Sequence, residues 1–291
     1  MRLIDMYKVT NTSVITMALV SLTSYPMPVL ASPTLVSINP SNLGVHFVQQ
    51  PELPDNGTPT GRREGAAGRG NCATESRLTA LVPAFEKTLA DDGGKATYVW
   101  GKTIAEYPTF WFYVPYSSAS LRSVEFVLQD GEDDVYRSPV TLPNTPGIVS
   151  FRLPSTEKPL EVGKMYHWFF KVNVNCAAKQ LSNAKEYQDY VEGWVQRVEL
   201  NSRVTHQLET ATPQQRIAIY AANGIWHEAL SAIADLRLLE PQAATLKDDW
   251  TEMLQFAGLS DIASKPLVKC CTIKTEVFLG NDQLRNKGSR H

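Results

Sequence analysis

Between Tyr107 and Leu153 apolar and polar positions alternate in a pattern that repeats across four strand-like runs. Phe110, Phe112 and Val114 alternate with Trp111 and Tyr113, and Val124, Phe126 and Leu128 alternate with Glu125, Val127 and Gln129. A period of two is the mark of strands with one buried face. Asp130-Gly131 stands where a hairpin must reverse, and Gly accepts the positive φ of a tight hairpin turn at no steric cost.

The same pattern extends to either side. A first strand is expected over Leu78 to Val82, followed by a loop around Asp91-Asp92-Gly93-Gly94. Downstream, Val149, Phe151 and Leu153 share a face, and Tyr166, Trp168, Phe170, Val172 and Val174 form another apolar row. Val191 to Leu200 closes the series. With turn signals at Pro143-Asn144 and Glu161-Val162-Gly163, about seven or eight strands predict an antiparallel β-sandwich, Ig-like or jelly-roll-like. No helical pattern separates the strands, which disfavours a parallel α/β fold.

After Leu200 the period changes. Thr212-Pro213-Gln214-Gln215 supplies an N-cap Thr, Pro at the first helical position and Gln at the third, so a helix begins there. It stops at Asn223-Gly224 and resumes from Ile225 to Glu240, where Trp226, Leu230, Ile233 and Leu236 recur at helical spacing and Pro241 follows. Tyr220, Gly224, Trp226, Ala229, Leu230 and Pro241 resemble the second half of a tetratricopeptide repeat. A last helix is expected over Lys247 to Ala257. One such hairpin cannot build a binding solenoid, so these helices are expected to cover one end of the β-domain.

The chain ends carry different signals. Residues 1–31 read as a signal peptide: Arg2 and Lys8 are basic, and the apolar run from Val14 through Leu22 is far short of the roughly 20 residues that cross a bilayer. Cleavage is expected after Ala31, placing the mature chain outside the cytoplasm, in the periplasm, at the cell surface or secreted, with no transmembrane span. Residues 32–71 are rich in Pro, Gly and Arg and read as a flexible arm; Arg62, Arg63 and Arg69 are its candidate contacts to a polyanion. The expected order is then a β-sandwich domain over 72–200, a helical segment over 201–262 and a tail over 263–291. With 28 Lys and Arg against 30 Asp and Glu, nothing in the charge favours nucleic acid or an anionic membrane.

Four cysteines in an exported chain leave three pairings open. Cys72 and Cys176 flank the strand series and are the expected disulfide, closing a loop of roughly 100 residues for which the chain-entropy model gives about 4 to 5 kcal/mol. Cys270 and Cys271 are adjacent, so they pair only through a strained ring. They read as an accessory thiol pair, or as a reactive or metal-binding one favoured by Lys269 and Lys274.

Candidate chemistry is sparse. His46, His167, His206, His227 and His291 are scattered without metal-ligand spacing, and no Gly-x-Ser-x-Gly elbow occurs. His167 lies between Tyr166 and Trp168, where alternation sends it to the outer face as a surface histidine. Asp130, Glu132, Asp133 and Asp134 supply carboxylates for calcium, but their spacing misses the EF-hand pattern and fits a solvated turn. The glycines of the arm lack the ending of a phosphate loop. No cofactor, metal or catalytic residue is assigned.

Several motifs are found together. Pro54-Asp55-Asn56-Gly57-Thr58-Pro59 with Gly61-Arg62-Arg63, Leu78 to Pro83, and Pro108 to Pro115 (PTFWFYVP) come first. Phe126 to Asp130, Pro146 to Ser150, Leu160 to Trp168, Val191 to Val195 and Tyr220 to Ala229 follow. This set resembles the cyanobacterial family known as domain of unknown function 928, over most of the chain after Ala31. The resemblance implies an exported protein with an extended N-terminal arm and assigns no activity or catalytic residue; the tail from Lys269 to His291 lies outside it.

Two function classes remain. The first is a non-catalytic envelope module that binds a glycan or another protein, with Trp111, Tyr113 and Tyr116 as contacts if their face is open, and the arginines contributing through charge. The second is a hydrolase of an envelope polysaccharide or peptidoglycan, with paired carboxylates placed by the fold. The absence of a catalytic motif favours the first.

Overall fold

A computed structural model describes residues 59–66, 74–88, 94–142, 144–176 and 185–268. The segment expected to be a signal peptide, Arg69, Cys72, His46, His291 and the Cys270-Cys271 pair lie outside these residues, as does the side chain of Cys176. The expected disulfide therefore falls outside the described residues.

The chain forms nine strands and then four helices among these residues. The strands are β1 Thr79–Ala80, β2 Ala84–Thr88, β3 Lys95–Thr103, β4 Thr109–Val114, β5 Leu121–Asp130, β6 Asp133–Pro139, β7 Gly147–Arg152, β8 Met165–Cys176 and β9 Lys185–Arg197. The helices are α1 Ser202–Thr210, α2 Pro213–Ala222, α3 Trp226–Leu239 and α4 Ala244–Phe256.

The strands make two sheets, one of three strands in the order β1-β4-β7 and one of six in the order β2-β3-β9-β8-β5-β6. All neighbours run antiparallel except β3 and β9, which pair in parallel from Trp100 opposite Trp194 to Thr103 opposite Arg197. The expectation of a purely antiparallel arrangement is corrected at that seam. Strand β3 brings its own lesson: Tyr98, Val99 and Trp100 are all buried, so its apolar run has no alternation to mark it.

The two sheets meet through aromatic side chains. Phe112 of β4 stacks on Phe170 of β8 with ring centroids 4.0 Å apart, and Phe110 and Phe126 meet at 4.8 Å. Trp168 fills the space above its cross-strand partner Gly193, where a Cβ would fall 2.5 Å from the indole. These rings, with Leu78, Leu128, Ile148 and Val191, are fully buried and are the main source of stability through removal of apolar surface from water.

Helix α3 lies on the other face of the small sheet. Trp111 of β4 donates its indole N–H to Ser231 Oγ at 3.0 Å, and Trp226 donates to the Leu81 carbonyl at 2.9 Å. The start of α2 carries the full capping box: Thr212 Oγ1 accepts from Gln215 N–H at 3.2 Å while Gln215 Oε1 accepts from Thr212 N–H at 2.9 Å. Gly224 takes φ 68° between α2 and α3, a left-handed value that a side chain would strain. Helix α1 is an element that periodicity did not reveal. It is short and polar, held by Asn201 accepting from Val204 N–H at 3.0 Å, and buries only Val204 and Leu208.

Residues 59–66, expected to be part of a flexible arm, are instead tied into both sheets. Thr60 bridges to Tyr98 of β3, Arg62 to Glu192 of β9 and Glu64 to Thr79 of β1. Composition reads this stretch as too poor in apolar residues to order itself, but its order comes from backbone hydrogen bonds, for which Gly61 and Gly65 permit the close approach.

Candidate functional site

Three places gather chemistry. The first is the outer face of the six-stranded sheet. Alternation along β9 sends Asp189, Val191 and Val195 inward and Tyr190, Glu192, Trp194 and Gln196 outward, while β8 sends His167, Phe169 and Lys171 outward beside them. His167 stacks on Trp194 with centroids 4.4 Å apart and planes 2° apart, and lies 4.2 Å from Phe169. Its Nε2 is 3.2 Å from Glu192 Oε2, although the geometry there is not that of an aligned hydrogen bond. Lys171 Nζ sits 5.1 Å over Phe169 and the Arg62 guanidinium 4.6 Å over Tyr190. Trp194 Nε1 donates to the Thr60 carbonyl at 2.9 Å.

Trp194 is faced by His167, Phe169 by Lys171 and Tyr190 by Arg62, so each has at least one ring face occupied from within the protein. Charged and amide groups, Lys171, Glu192 and Gln196, alternate with these rings on the same half-buried face. Side-chain exposures of 18 % for His167 and 24 % for Glu192 put the row flush with the surface.

The second place is beneath that face. Asp189 has no side-chain exposure. Its carboxylate accepts from Tyr116 Oη at 2.8 Å and from the N–H groups of Ala66 and Tyr190, each at 3.0 Å, while Arg62 approaches to 3.7 Å. Burial pushes the Asp189 carboxyl upward, opposed by Tyr116, the two amides and Arg62; burial and the Asp189 neighbour push the Tyr116 phenol upward as well.

The third is the first turn of α3. Glu228 Oε1 accepts from Thr103 Oγ1 at 2.6 Å, Ala105 N–H at 3.1 Å and Ile104 N–H at 3.2 Å, joining the helix to the end of β3. Burial raises the Glu228 carboxyl against those donors. His227 Nδ1 lies 3.1 Å from the Thr109 carbonyl, and burial lowers the ring to about 4, leaving a neutral imidazole with Nδ1 as its proton-bearing atom. His227 Nε2 and Glu228 Oε2, the atoms not used in these contacts, are both buried.

The residues singled out by sequence fall differently. Trp111, Tyr113 and Tyr116 are 5 %, 6 % and 4 % exposed, so the open face they needed as partner contacts is closed. Trp111 is covered by α3, Tyr113 lies under Lys265 at 5.5 Å, and Tyr116 is spent on Asp189. Alternation shows which face a residue takes, not what stands against that face. Arg62 is engaged with Tyr190 and Asp189, and Arg63 donates to the carbonyls of Ala257 at 2.5 Å and Gly258 at 3.3 Å. In the acidic turn Asp130 pairs with Lys164, and Asp134 with Gln129 and Arg137. Among the described residues no group of three or more His, Cys, Asp or Glu side chains is placed to hold a metal ion.

Trp194, Phe169, Tyr190 and Asp189 escaped the sequence reading. The signal for the first three was an aromatic set on the polar phase of strands whose other phase is already apolar. For Asp189 it was a lone carboxylate on the inward phase of Val191 and Val195.

The fold and these sites define a mainly β protein of two sheets with four C-terminal helices and an aromatic, charge-interleaved outer sheet face. The chain belongs to the family described as Domain of Unknown Function (DUF928), whose profile matches residues 61–267. No curated protein and no solved structure matches the chain. Within the described residues no helix is long and apolar enough to cross a membrane.

Proposed function

We propose that this protein is a non-catalytic, extracytoplasmic interaction module that contacts a protein of the cell envelope through the outer face of its six-stranded sheet. The observation that carries the reading is the row Trp194, His167, Phe169, Lys171, Glu192 and Tyr190. Aromatic side chains and Arg are enriched in protein interfaces, and rings already locked by neighbours lose little entropy on contact. A glycan reader needs bare ring faces for sugars to lie on, whereas each of these rings already has a face taken by His167, Lys171 or Arg62. The reading of residues 1–31 as a signal peptide supports the location. The finer architecture belongs to the same reading: a β-sandwich whose end is covered by a tetratricopeptide-like hairpin of α2 and α3, with the helices acting as a cap.

The test uses purified protein and isolated envelopes. Retention on envelopes should fall at least ten-fold with Phe169→Ser and Trp194→Ala, and should vanish when the envelopes are first treated with protease. Retention on purified peptidoglycan or envelope polysaccharide that survives such treatment moves the partner to a glycan. Release of soluble fragments from either polymer, abolished by a single carboxylate or histidine substitution, overturns the non-catalytic reading.

A further inference from the structure

Upstream of Trp100 and Trp194 the parallel pair β3 and β9 parts, and residues 59–62 lie in the gap. Val99 N–H donates to the Pro59 carbonyl and Gly61 N–H to the Thr97 carbonyl, each at 3.0 Å. On the other side, Arg62 N–H donates to the Glu192 carbonyl at 3.0 Å, and Glu192 N–H donates back to the Arg62 carbonyl at 2.9 Å. The segment then crosses to the small sheet, where Gly65 N–H donates to Leu78 at 2.7 Å and Ala80 N–H donates to Arg63 at 2.9 Å.

Two positions along this path, Gly61 in the gap and Gly65 beside the small sheet, exclude any side chain. A Cβ on Gly61 would lie 2.8 Å from the Glu192 carbonyl oxygen and 2.9 Å from Val99 Cβ, and a Cβ on Gly65 would fall on the Asp189 carboxylate. Polar side chains add further ties: Asp189 accepts from Ala66 N–H, Tyr187 and Trp194 donate to the Ala66 and Thr60 carbonyls, Arg62 reaches Asp189 and Tyr190, Arg77 reaches Glu64, and Arg63 donates to the carbonyls that end α4. Within 59–66 only Pro59 and Gly65 are buried. The segment therefore contributes no large apolar side chain to the core, and its departure would uncover backbone groups and one carboxylate rather than the aromatic interior.

We propose that the gap between β3 and β9, continued along the β1 edge of the small sheet, is a peptide slot for an extended strand of the pattern Gly-x-x-x-Gly, filled in this chain by its own residues 59–66 and able to take the same strand from a second copy. Main-chain pairing supplies the affinity, as in other cases where an added strand completes a sheet, and the two glycine positions supply the selectivity. A segment held by polar contacts at a surface opens at lower free energy than the core does. This inference goes beyond the interaction role proposed above and stands without it.

The experiment pairs amide exchange with a labelled peptide of sequence PTGRREGA, residues 59–66. In the full chain, the Arg62 and Gly65 amides should exchange at least ten-fold faster than those of Phe112 and Phe170. Gly65→Ala in the full chain should keep its near-UV circular dichroism, lose protection at Arg62, and bind the peptide at least ten-fold more tightly than the unsubstituted chain, whose slot is filled. Peptides carrying Ala at either glycine position should bind at least ten-fold more weakly. Gly61→Ala serves as the second variant. Arg62 protection equal to that of the core, a folded variant that takes up no peptide, or loss of fold in both variants would each overturn the proposal, since the slot would then be inseparable from the core.

Discussion

Acidification offers a sharp test of how the helical cap is joined to the sheets, because His227 is enclosed at that joint. Its ring packs edge-on against Phe110 with centroids 5.2 Å apart, and its Nε2 would lie 3.0 Å from a Cβ on Gly101. Burial lowers its pKa from 6.5 to about 4. The folded protein therefore holds a neutral ring where the unfolded chain would bind a proton, so stability is full above the unfolded value of about 6.5 and falls as the pH drops from there towards about 4. At about 1.4 kcal/mol per unit, that window is worth about 3 kcal/mol, with no further loss from this residue at lower pH. The raised carboxyls of Asp189 and Glu228 act in the opposite sense, gaining stability as pH falls, so the test must be a difference. His227→Gln keeps a donor for the Thr109 carbonyl and removes the titration. Urea unfolding from pH 7 to pH 4 should show the native protein losing about 3 kcal/mol more than the variant. Equal slopes in the two proteins would refute the enclosed neutral imidazole.

Other expectations follow from geometry. Gly224→Val places a branched side chain at φ 68° and should cost more than about 1 kcal/mol, read as a lower melting temperature. Thr212→Ala removes one half of the capping box and should cost about 1 kcal/mol in urea unfolding. Asp189→Ala leaves the Tyr116 hydroxyl and the Ala66 and Tyr190 amides short of an acceptor, and should cost at least about 2 kcal/mol, with Asp189→Asn restoring part of it. Non-reducing peptide mapping should find Cys72 joined to Cys176; free thiols at both positions would remove that bridge.

Strands β4, β5 and β8 were legible because each presents one continuous apolar phase, and α2 and α3 because their caps and spacing agree with each other. Strand β3 was not, since burial on both faces erases alternation, and α1 was not, since two buried residues in nine give little periodicity. The site failed for a different reason. Trp111 and Tyr113 were assigned correctly to one face of β4, but the helix lying on that face comes from more than a hundred residues downstream, and local pattern carries no information about such contacts. Arg62 and Arg63 misled through composition: Gly and Arg together suggest a mobile cationic stretch, yet Gly61 and Gly65 serve close approach, and these two arginines are bound to internal partners.

Among the described residues, each long edge of the small sheet is met by a short flanking segment. On one side Glu64 bridges to Thr79 of β1; on the other, Ile148 of β7 bridges in parallel to Leu267, with Ile148 N–H donating to Pro266 and Val268 N–H donating to Ile148, each at 2.8 Å. An exposed strand edge is a template for sticking to other chains. A recombinant fragment beginning at Leu78, or ending at Ala263, would retain nearly all of the aromatic interior and still bare one of those edges. Precipitation during expression, rather than failure to fold, is what trimming the chain to its strands and helices should produce. The limits of a soluble fragment are set by two short flanks that contribute almost nothing to the core.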